Sequence, residues 1–258
     1  MCKRKRLVIG DIHGYFDTLK EIYDAEQPDE VIIVGDYFDN FKNNADMNVQ
    51  CFENIISLQQ YHLSLNKGFF KLLIGNHDYH YLYTYDRCSG YNWRYSNYAK
   101  TKLEELLQKG LLEFVYIDSD NDVIYSHAGV TNSWLNEYVN INNSKVLIED
   151  NVLNKINPEL YSFRCGAAFD STDTYGNNKH HSPIWVRPAQ LIDDFYYDSV
   201  NDIKYMQVVG HTHYGEIMST VRDNIELYII DTMPYEYLVQ YIEVIDGQSI
   251  ITNEIKSN

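Results

Sequence analysis

The sequence has few of the residues that mark fibrous, disordered or disulfide-bonded proteins. Its 258 residues include 5 prolines, 13 glycines and 4 cysteines. No apolar run approaches the roughly 18 residues that a membrane helix needs. Collagen, disorder and a membrane-spanning chain are therefore excluded as the main state. The cysteines are far apart and form no C-x-x-C pair, which favours unpaired thiols in the cytoplasm over disulfides or a zinc finger. They are Cys2, Cys51, Cys88 and Cys165.

Basic residues are also scarce. The chain has 21 lysines and arginines against 37 acidic residues, which gives a formal net charge of −16. This charge repels a polyanion, so we expect no duplex nucleic acid as a partner. Net charge alone does not separate a solvated acidic surface from carboxylates gathered around a metal ion. Residues 3–6 are basic, but Leu7–Ile9 is too short for the apolar core of a signal peptide.

The first half of the chain alternates short apolar runs with helical patterns. The runs at Arg6–Ile9, Val31–Val34 and Phe69–Ile74 are typical of buried strands. Apolar residues at helical spacing separate them, over Phe16–Tyr23 and Met47–Leu63. This β-α-β-α-β order predicts an α/β fold, with helices packed on the faces of a sheet.

Strand patterns dominate the second half. A helix is predicted over Lys100–Lys109, and residues 131–200 show only two short helical patterns, Ser133–Tyr138 and Ser144–Lys155. The last two strands are joined by Asp246-Gly247, a strong tight-turn signal. We therefore expect one domain over residues 1–258, with two packed sheets and helices outside. The predicted strands are Leu112–Ile117, Val123–Ser126, Tyr205–Val209, Ile225–Ile230, Leu238–Ile245 and Ser249–Ile255.

Five predicted strands end in residues that can bind a metal. The first three ends read GDIHG from Gly10, GDYFD from Gly35 and GNHD from Gly75. The later two carry His127 and the sequence GHTH over residues 210–213. Side chains at the carboxyl ends of neighbouring strands converge on one crevice, and a preceding glycine permits close backbone approach. We therefore expect these residues to form one site.

The residue types in these motifs indicate which metals the site would take. Asp, Asn and His form an oxygen and nitrogen ligand set without thiolate, which suits Mn, Fe or Zn better than Ca. A carboxylate between two ligand groups can bridge two ions about 3.5–4 Å apart. Each motif alone is also typical of ordinary turns and helix caps. The ordered set of five is what favours a metal site.

In this order the motifs resemble those of the calcineurin-like metallophosphoesterase superfamily, and they span residues 10–213. GDYFD is most similar to the phosphoprotein (serine/threonine) phosphatase branch, although Asn40-Phe41 replaces the Arg-Gly of that branch. The resemblance implies two packed mixed β-sheets flanked by helices. It also implies two divalent metal ions as cofactors, with Mn expected and Fe, Zn, Ni or Mg as alternatives.

The resemblance further implies a role for each motif residue. Asp11 and His13 would hold the first ion, Asp36 would bridge both ions, and the next three ligands in chain order would hold the second. His213 matches a first-ion ligand of the wider superfamily that the phosphatase branch commonly lacks. The implied metal ligands are Asp11, His13, Asp36, Asn76, His127, His211 and His213.

Two further residues would carry out catalysis in the family's mechanism. A hydroxide held between the two ions would attack phosphorus in line. His77, oriented by the carboxylate of Asp39, would act as the general acid that protonates the leaving oxygen.

The arginine that binds phosphate is not fixed by the motifs. Asn40 stands where family members commonly have an arginine, and an amide supplies neither charge nor a bidentate fork. The segment Pro183–Pro188 resembles one that brings an arginine into the site, so we expect Arg187 and Asn40 to contact phosphate. Arg87 and Arg94 are alternatives, and Arg187 could instead be a surface residue.

A tyrosine-rich segment, Tyr79–Tyr98, follows the third motif and also contains Trp93. Its rings could line a substrate groove or a peptide-binding face. With 24 tyrosines in the chain, we favour instead a partly buried loop that reflects general composition.

The predicted function is hydrolysis of phosphoric monoesters. The expected substrates are phosphorylated proteins, as for a serine/threonine protein phosphatase, or small phosphoesters. A symmetrical diadenosine tetraphosphate hydrolase or a phosphodiesterase would use the same metal core. A phosphate-binding protein that has lost turnover is the non-enzymatic alternative. No membrane partner is expected, and the oligomeric state stays open.

Overall fold

The fold is built on two β-sheets, seen in a computed structural model. The structure describes residues 4–83, 90–139, 163–164, 166, 172–198, 203–233, 238–245 and 249–256. The strands are β1 Lys5–Ile9, β2 Glu30–Ile33, β3 Phe70–Leu73, β4 Leu112–Glu113, β5 Val115–Asp118, β6 Val123–Ser126, β7 Tyr197–Asp198, β8 Ile203–Lys204, β9 Met206–Val209, β10 Met218–Arg222, β11 Ile225–Ile229, β12 Leu238–Ile245 and β13 Ser249–Lys256. The helices are α1 Phe16–Glu26, α2 Ala45–Ser64, α3 Asn76–Leu82, α4 Ser96–Gln108, α5 Asn132–Trp134, which runs into a π-helical turn, and α6 Pro188–Asp193.

Both main sheets are mixed. The larger has the order β13-β12-β1-β2-β3-β4. Strands β1 to β4 are parallel to one another, and β12 is antiparallel to both of its neighbours, β1 and β13. The other has the order β10-β11-β9-β6-β5, with β6, β9 and β11 parallel. Parallel strands point their carboxyl ends to one edge of a sheet, and this is the edge where ligands bind in α/β proteins.

Apolar residues from both sheets form the layer between them. Val8 and Ile32 of the larger sheet belong to the same buried cluster as Tyr125 and Val208 of the other sheet. A larger cluster lies under α1 and α2, where Leu19 and other side chains pack on the outer face of the first sheet. The predicted α/β fold, with two packed mixed sheets and flanking helices, is confirmed.

The structure corrects three details of the predicted secondary structure. The single strand predicted at Leu112–Ile117 is divided, because the chain leaves the larger sheet after Glu113 and joins the other sheet at Val115. The third motif opens a helix, α3, that was not predicted, and its last residues, Tyr79–Leu82, belong to the tyrosine-rich segment that was expected to be a loop. Strand β10 was not predicted, because it lies at a sheet edge with mostly exposed side chains and carries no apolar alternation.

Some predictions lie outside the described residues. These include the helix at Ser144–Lys155 and the turn at Asp246-Gly247, although β12 and β13 do pair antiparallel. The single-domain extent stays a prediction. Among the described residues, every helix is too short or too polar to cross a bilayer.

Candidate active site

Five strand ends bring their polar residues to one place. Asp11 follows β1, Asp36 follows β2, and Asn76 follows β3, three neighbours in the larger sheet. His127 and His211 follow β6 and β9, which are neighbours in the second sheet. The site therefore lies where the carboxyl ends of both sheets meet, as the motif order predicts.

The predicted metal ligands are within contact distance of one another. His127 Nε2 lies 2.8 Å from Asn76 Oδ1 and 3.5 Å from Asp36 Oδ2. His211 Nδ1 lies 2.9 Å from Asn76 Oδ1. Ligand atoms of Asp11, Asp36 and His127 all fall within 4.8 Å of one another, and all three residues are buried. We refer to Asp11, His13, Asp36, Asn76, His127 and His211 as the ligand cluster.

Close packing of this cluster depends on glycine at two strand ends. A Cβ at Gly75 would lie 2.0 Å from Asp36 Oδ1, and one at Gly210 would lie 2.1 Å from Asp11 Oδ1. No side chain fits at such distances. The glycines of these motifs therefore let the carboxylates lie directly against the neighbouring backbone.

Several site residues also adopt a backbone conformation that costs energy. The φ angles of His13, Asp36, Asp39 and His211 are 40°, 52°, 69° and 65°. Non-glycine residues enter this left-handed region rarely, and strained residues of this kind concentrate at functional sites.

The histidine hydrogen bonds test whether the cluster suits a cation. In each of three rings one nitrogen faces a backbone carbonyl, so that nitrogen must carry the hydrogen: His13 Nδ1 at 2.9 Å from Phe38 O, His127 Nδ1 at 3.0 Å from Val34 O, and His211 Nε2 at 3.2 Å from Trp185 O. The other nitrogen of each ring then presents a lone pair. These lone pairs face the oxygens of Asp36 or Asn76, which is the arrangement of metal ligands held by outer hydrogen bonds.

The carboxylates lead to the same conclusion. Burial, then the neighbouring Asp231, raises the pKa of Asp11 well above its usual value. Burial, then Asp11 and Asp78, does the same to the pKa of Asp36. Burial lowers the pKa of His127 and His211, so the imidazoles supply no compensating charge. The nearby Arg187 offsets the charge of these carboxylates only in part, since the pKa of Asp11 stays raised, and divalent ions would supply the remaining balance.

Beside this cluster lies the pair predicted to donate a proton. His77 Nδ1 lies 2.9 Å from Asp39 Oδ2. Burial alone would raise the pKa of Asp39, but the contacts with His77 and His80 outweigh it and hold that pKa below its usual value. Asp39 is therefore an acceptor, His77 Nδ1 donates to it, and Nε2 of His77 is left for another partner.

A pocket of about 420 Å³ connects these groups. The ligand-cluster residues except His127 line it, together with the Asp39–His77 pair, and Arg187 and His213 lie on its wall. Arg187 Nε donates to Tyr175 O at 2.8 Å, and Nη1 lies 3.2 Å from His211 O. Arg187 is thus placed at the pocket, and its contact with phosphate stays a prediction. Among the described residues its Nη2 makes no hydrogen bond.

Asn40 also lines the pocket and is buried. Its side-chain oxygen accepts from Lys42 N at 2.9 Å, so the amide hydrogens remain for a ligand. Arg94 is exposed and does not line the pocket, which disfavours it as the phosphate residue. Arg87 lies outside the described residues.

The comparison with protein families now decides the identity. The family model for calcineurin-like phosphoesterases matches residues 4–215. The chain belongs to this family. It is therefore a metallophosphoesterase, a hydrolase of phosphoester bonds, and its family depends on a dinuclear metal centre. No curated protein sequence matches it significantly.

Solved structures share the phosphoesterase fold at low sequence identity. A crystal structure of a cold-active protein-tyrosine phosphatase from a psychrophilic Shewanella species is 16% identical with a TM-score of 0.57, over 96% of this chain and 80% of that chain. A 1.1 Å structure of a cold-active protein-tyrosine phosphatase is 18% identical with a TM-score of 0.55, over 96% of this chain and 78% of that chain. At such identity the likeness concerns the fold alone.

The phosphoesterase pocket also contains a carboxylate that the sequence motifs do not include. Asp231 is 4% exposed, lines the pocket and follows β11, with Oδ1 3.9 Å from His213 Nδ1. Asp231 could have been predicted in the same way as the other motif residues, because it directly follows the apolar run Ile225–Ile230. It lacks the preceding glycine, so the motif pattern passed over it.

Asp78, the last residue of the third motif, holds the backbone of two motifs together. Its carboxylate accepts hydrogen bonds from the backbone N–H groups of Asp36, Tyr37 and Gly75 at 2.8, 2.9 and 2.9 Å. It therefore ties the second motif to the third and fixes the distance between Asp36 and Asn76.

Proposed function

We propose that this phosphoesterase removes phosphate from phosphoserine or phosphothreonine in proteins, with two Mn²⁺ ions as cofactors. The observation that supports it is one pocket lined by the ligand-cluster residues other than His127, the Asp39–His77 pair and Arg187. Two exposed side chains at the pocket, Phe41 (80% exposed) and Lys42, could contact the residues of a polypeptide on either side of its phosphorylated residue.

The ligand cluster would hold the ions through carboxylate, amide and imidazole groups. Asp11 and His13 would bind one ion, Asp36 both, and Asn76, His127 and His211 the other. His213 lies on the same pocket wall and would add to the first ion. When bound, such ions lower the pKa of water and neutralise charge on phosphoryl oxygens. The absence of thiolate among these ligands favours Mn over softer-ligand metals.

The side chains around the cluster would bind and protonate the substrate. Arg187 and the Asn40 amide would donate hydrogen bonds to the phosphoryl oxygens, in place of the arginine that family members carry at position 40. With Nδ1 of His77 donating to Asp39, Nε2 of the imidazolium would donate its proton to the leaving oxygen, and Asp39 stabilises that imidazolium.

A panel of four substrates tests the proposal in the presence of Mn²⁺. These are a phosphoserine/phosphothreonine peptide, a phosphotyrosine peptide, diadenosine tetraphosphate and a bis-aryl phosphate. The highest kcat/KM is expected for the phosphoserine/phosphothreonine peptide. A preference for the phosphotyrosine peptide would contradict phosphoserine and phosphothreonine as the substrate residues, but would still support a protein substrate. A preference for the dinucleotide or the diester would contradict the protein substrate altogether.

A further inference from the structure

Part of the tyrosine-rich segment Tyr79–Tyr98 is buried beside the active site. Tyr81, near the end of α3, is 1% exposed, and Tyr95, just before α4, is 3% exposed. Their rings pack on each other with centroids 5.3 Å apart, and Tyr95 stacks on Phe38 at 5.7 Å. Neither tyrosine lines the pocket. These two residues therefore do not serve as a substrate-stacking wall.

Both tyrosine hydroxyls instead point at the carboxylate that orients His77. Tyr95 Oη donates to Asp39 Oδ1 at 2.7 Å, and Tyr81 Oη donates to the same oxygen. The other oxygen, Oδ2, lies 2.9 Å from His77 Nδ1 and 2.9 Å from His80 Nε2. We call Asp39, His77, His80, Tyr81 and Tyr95 the Asp39 network.

The direction of these hydrogen bonds is fixed. Burial, followed by the charge of Asp39, raises the pKa of both Tyr81 and Tyr95, so both hydroxyls keep their hydrogens. A carboxylate can only accept. With Oδ1 held by two hydroxyls, the carboxylate plane of Asp39 cannot rotate without breaking both bonds, and Oδ2 stays directed at His77.

The tyrosines are themselves held in place. Tyr81 Oη accepts from Asn92 N at 3.0 Å, which ties the segment before α4 back to α3. The ring of His80 packs edge-on against Tyr81 with centroids 4.3 Å apart and against His77 at 5.6 Å. The position of Asp39 thus depends on residues from the two ends of the α3–α4 connection.

We propose that Tyr81 and Tyr95 are positioning residues for proton donation, acting through Asp39 to fix the orientation of the His77 ring. This inference rests on the proposed role of His77 as general acid. Positioning partners of this kind typically change activity by about 10–100-fold when they are removed at metal sites. A general acid matters most when the leaving group is poor.

The test is leaving-group dependence in Tyr81→Phe, Tyr95→Phe and the double variant, measured in the metal-loaded enzyme. For the double variant we expect a loss of roughly 10-fold or more in kcat on phenyl phosphate. On p-nitrophenyl phosphate, whose leaving group needs less protonation, we expect a loss under about 3-fold. KM should stay near the wild-type value, because neither tyrosine lines the pocket. Equal losses on both substrates, or no loss, would overturn the inference.

A matched control is available in another buried tyrosine–histidine contact. Tyr23 is 2% exposed, and its hydroxyl lies 2.9 Å from His62 Nδ1, away from the pocket. Tyr23→Phe removes a buried hydroxyl of the same kind and should leave the ratio of the two rates unchanged. A change in that ratio would show that the effect is general loss of packing and would count against positioning.

Histidine NMR of the metal-free protein tests the geometry without turnover. In wild type the Nδ1 proton of His77, held by Asp39, should resist exchange and resonate downfield. The double variant should lose or broaden this signal, and Tyr23→Phe should keep it. An unchanged signal in the double variant would contradict the inference.

His77→Gln separates the two proposals. If it shows the leaving-group-dependent loss and the tyrosine variants do not, the positioning inference alone is wrong. If His77→Gln shows no such loss, the general-acid role is wrong, and with it the positioning of a proton donor.

Discussion

Two groups of Asp and His residues lie side by side in this molecule, and the environments of their buried carboxylates are opposite. In the ligand cluster, Asp11 and Asp36 lie against each other, lone pairs of His13 and His127 face Asp36, and burial raises the pKa of both carboxyls. In the Asp39 network, two hydroxyls and an imidazole N–H donate to one carboxylate, whose pKa is lowered.

The difference shows what each group still needs. The charge of Asp39 is balanced by protein donors, so the network is complete in the polypeptide alone. In the ligand cluster, Asp11 and Asp36 accept hydrogen bonds from the backbone N–H groups of His211 and His77, but burial and neighbouring carboxylates still raise both pKa values. A cation from solution would balance this charge. The same residue types thus give a metal centre or a proton-donating pair, depending on what surrounds the carboxylate.

The largest expected effect comes from removing the shared carboxylate of the ligand cluster. Asp36→Asn should lower kcat/KM on p-nitrophenyl phosphate by roughly 10³-fold, because the lost charge weakens both ion sites. Metal content of the purified variant should fall as well, measured by elemental analysis. Asp24→Asn, which changes an exposed carboxylate of a surface ion pair, is the control and should match wild type. Full metal content in the Asp36 variant would contradict the bridging role.

The second effect concerns the free energy of unfolding of the metal-free protein. Removing the charge of Asp39 should lower it, and removing the charge of Asp36 should raise it. The folded-state pKa of Asp39 is depressed, so its charge stabilises the fold above the unfolded pKa of about 3.9. Asp39→Asn should therefore lower the free energy of unfolding by about 3 kcal/mol near pH 7.

Asp36 should behave in the opposite way when both metal-free variants are unfolded with urea over a range of pH. Its folded-state pKa is raised, so its charge opposes folding as pH rises above about 3.9. Asp36→Asn should increase metal-free stability near neutral pH, and the gain should shrink as pH falls. Destabilisation by both variants would remove the contrast between the two groups.

The smallest effect is expected at Asp231, which is buried at the pocket and adds to the raised pKa of Asp11. Asp231→Asn should weaken Mn²⁺ binding by about 10-fold, the lower end for a residue next to metal ligands. Isothermal titration with Mn²⁺ measures this, with Asp24→Asn again as the control. A loss of Mn²⁺ affinity as large as that of Asp36→Asn in the same titration would indicate that Asp231 is itself a metal ligand.

Much of the fold was predictable because its central strands are buried on both faces. The run Val31–Val34, most of which forms β2, is continuously apolar, and this pattern is visible in the sequence without knowing which strands lie beside it. The split at Phe114 and the edge strand β10 were not predictable. Sheet membership and edge position depend on partners that are distant in sequence.

The candidate site divides in the same way. The ligand cluster was found because strand, glycine and polar residue lie next to one another in the chain. Asp231, without the glycine, was missed, although it lies on the same pocket wall. Tyr81 and Tyr95 stood out only as part of a tyrosine-rich segment, and nothing in the sequence connects them to Asp39.

The sequence by itself determined the α/β class, the set of metal-capable strand ends and their order along the chain, since these depend on local patterns of burial and turning. Only the tertiary structure decided which carboxylates are balanced and which are not. Hydrogen bonding and charge depend on atoms a few ångströms apart, and those atoms belong to residues such as Asp39 and Tyr95 that lie far apart in the chain.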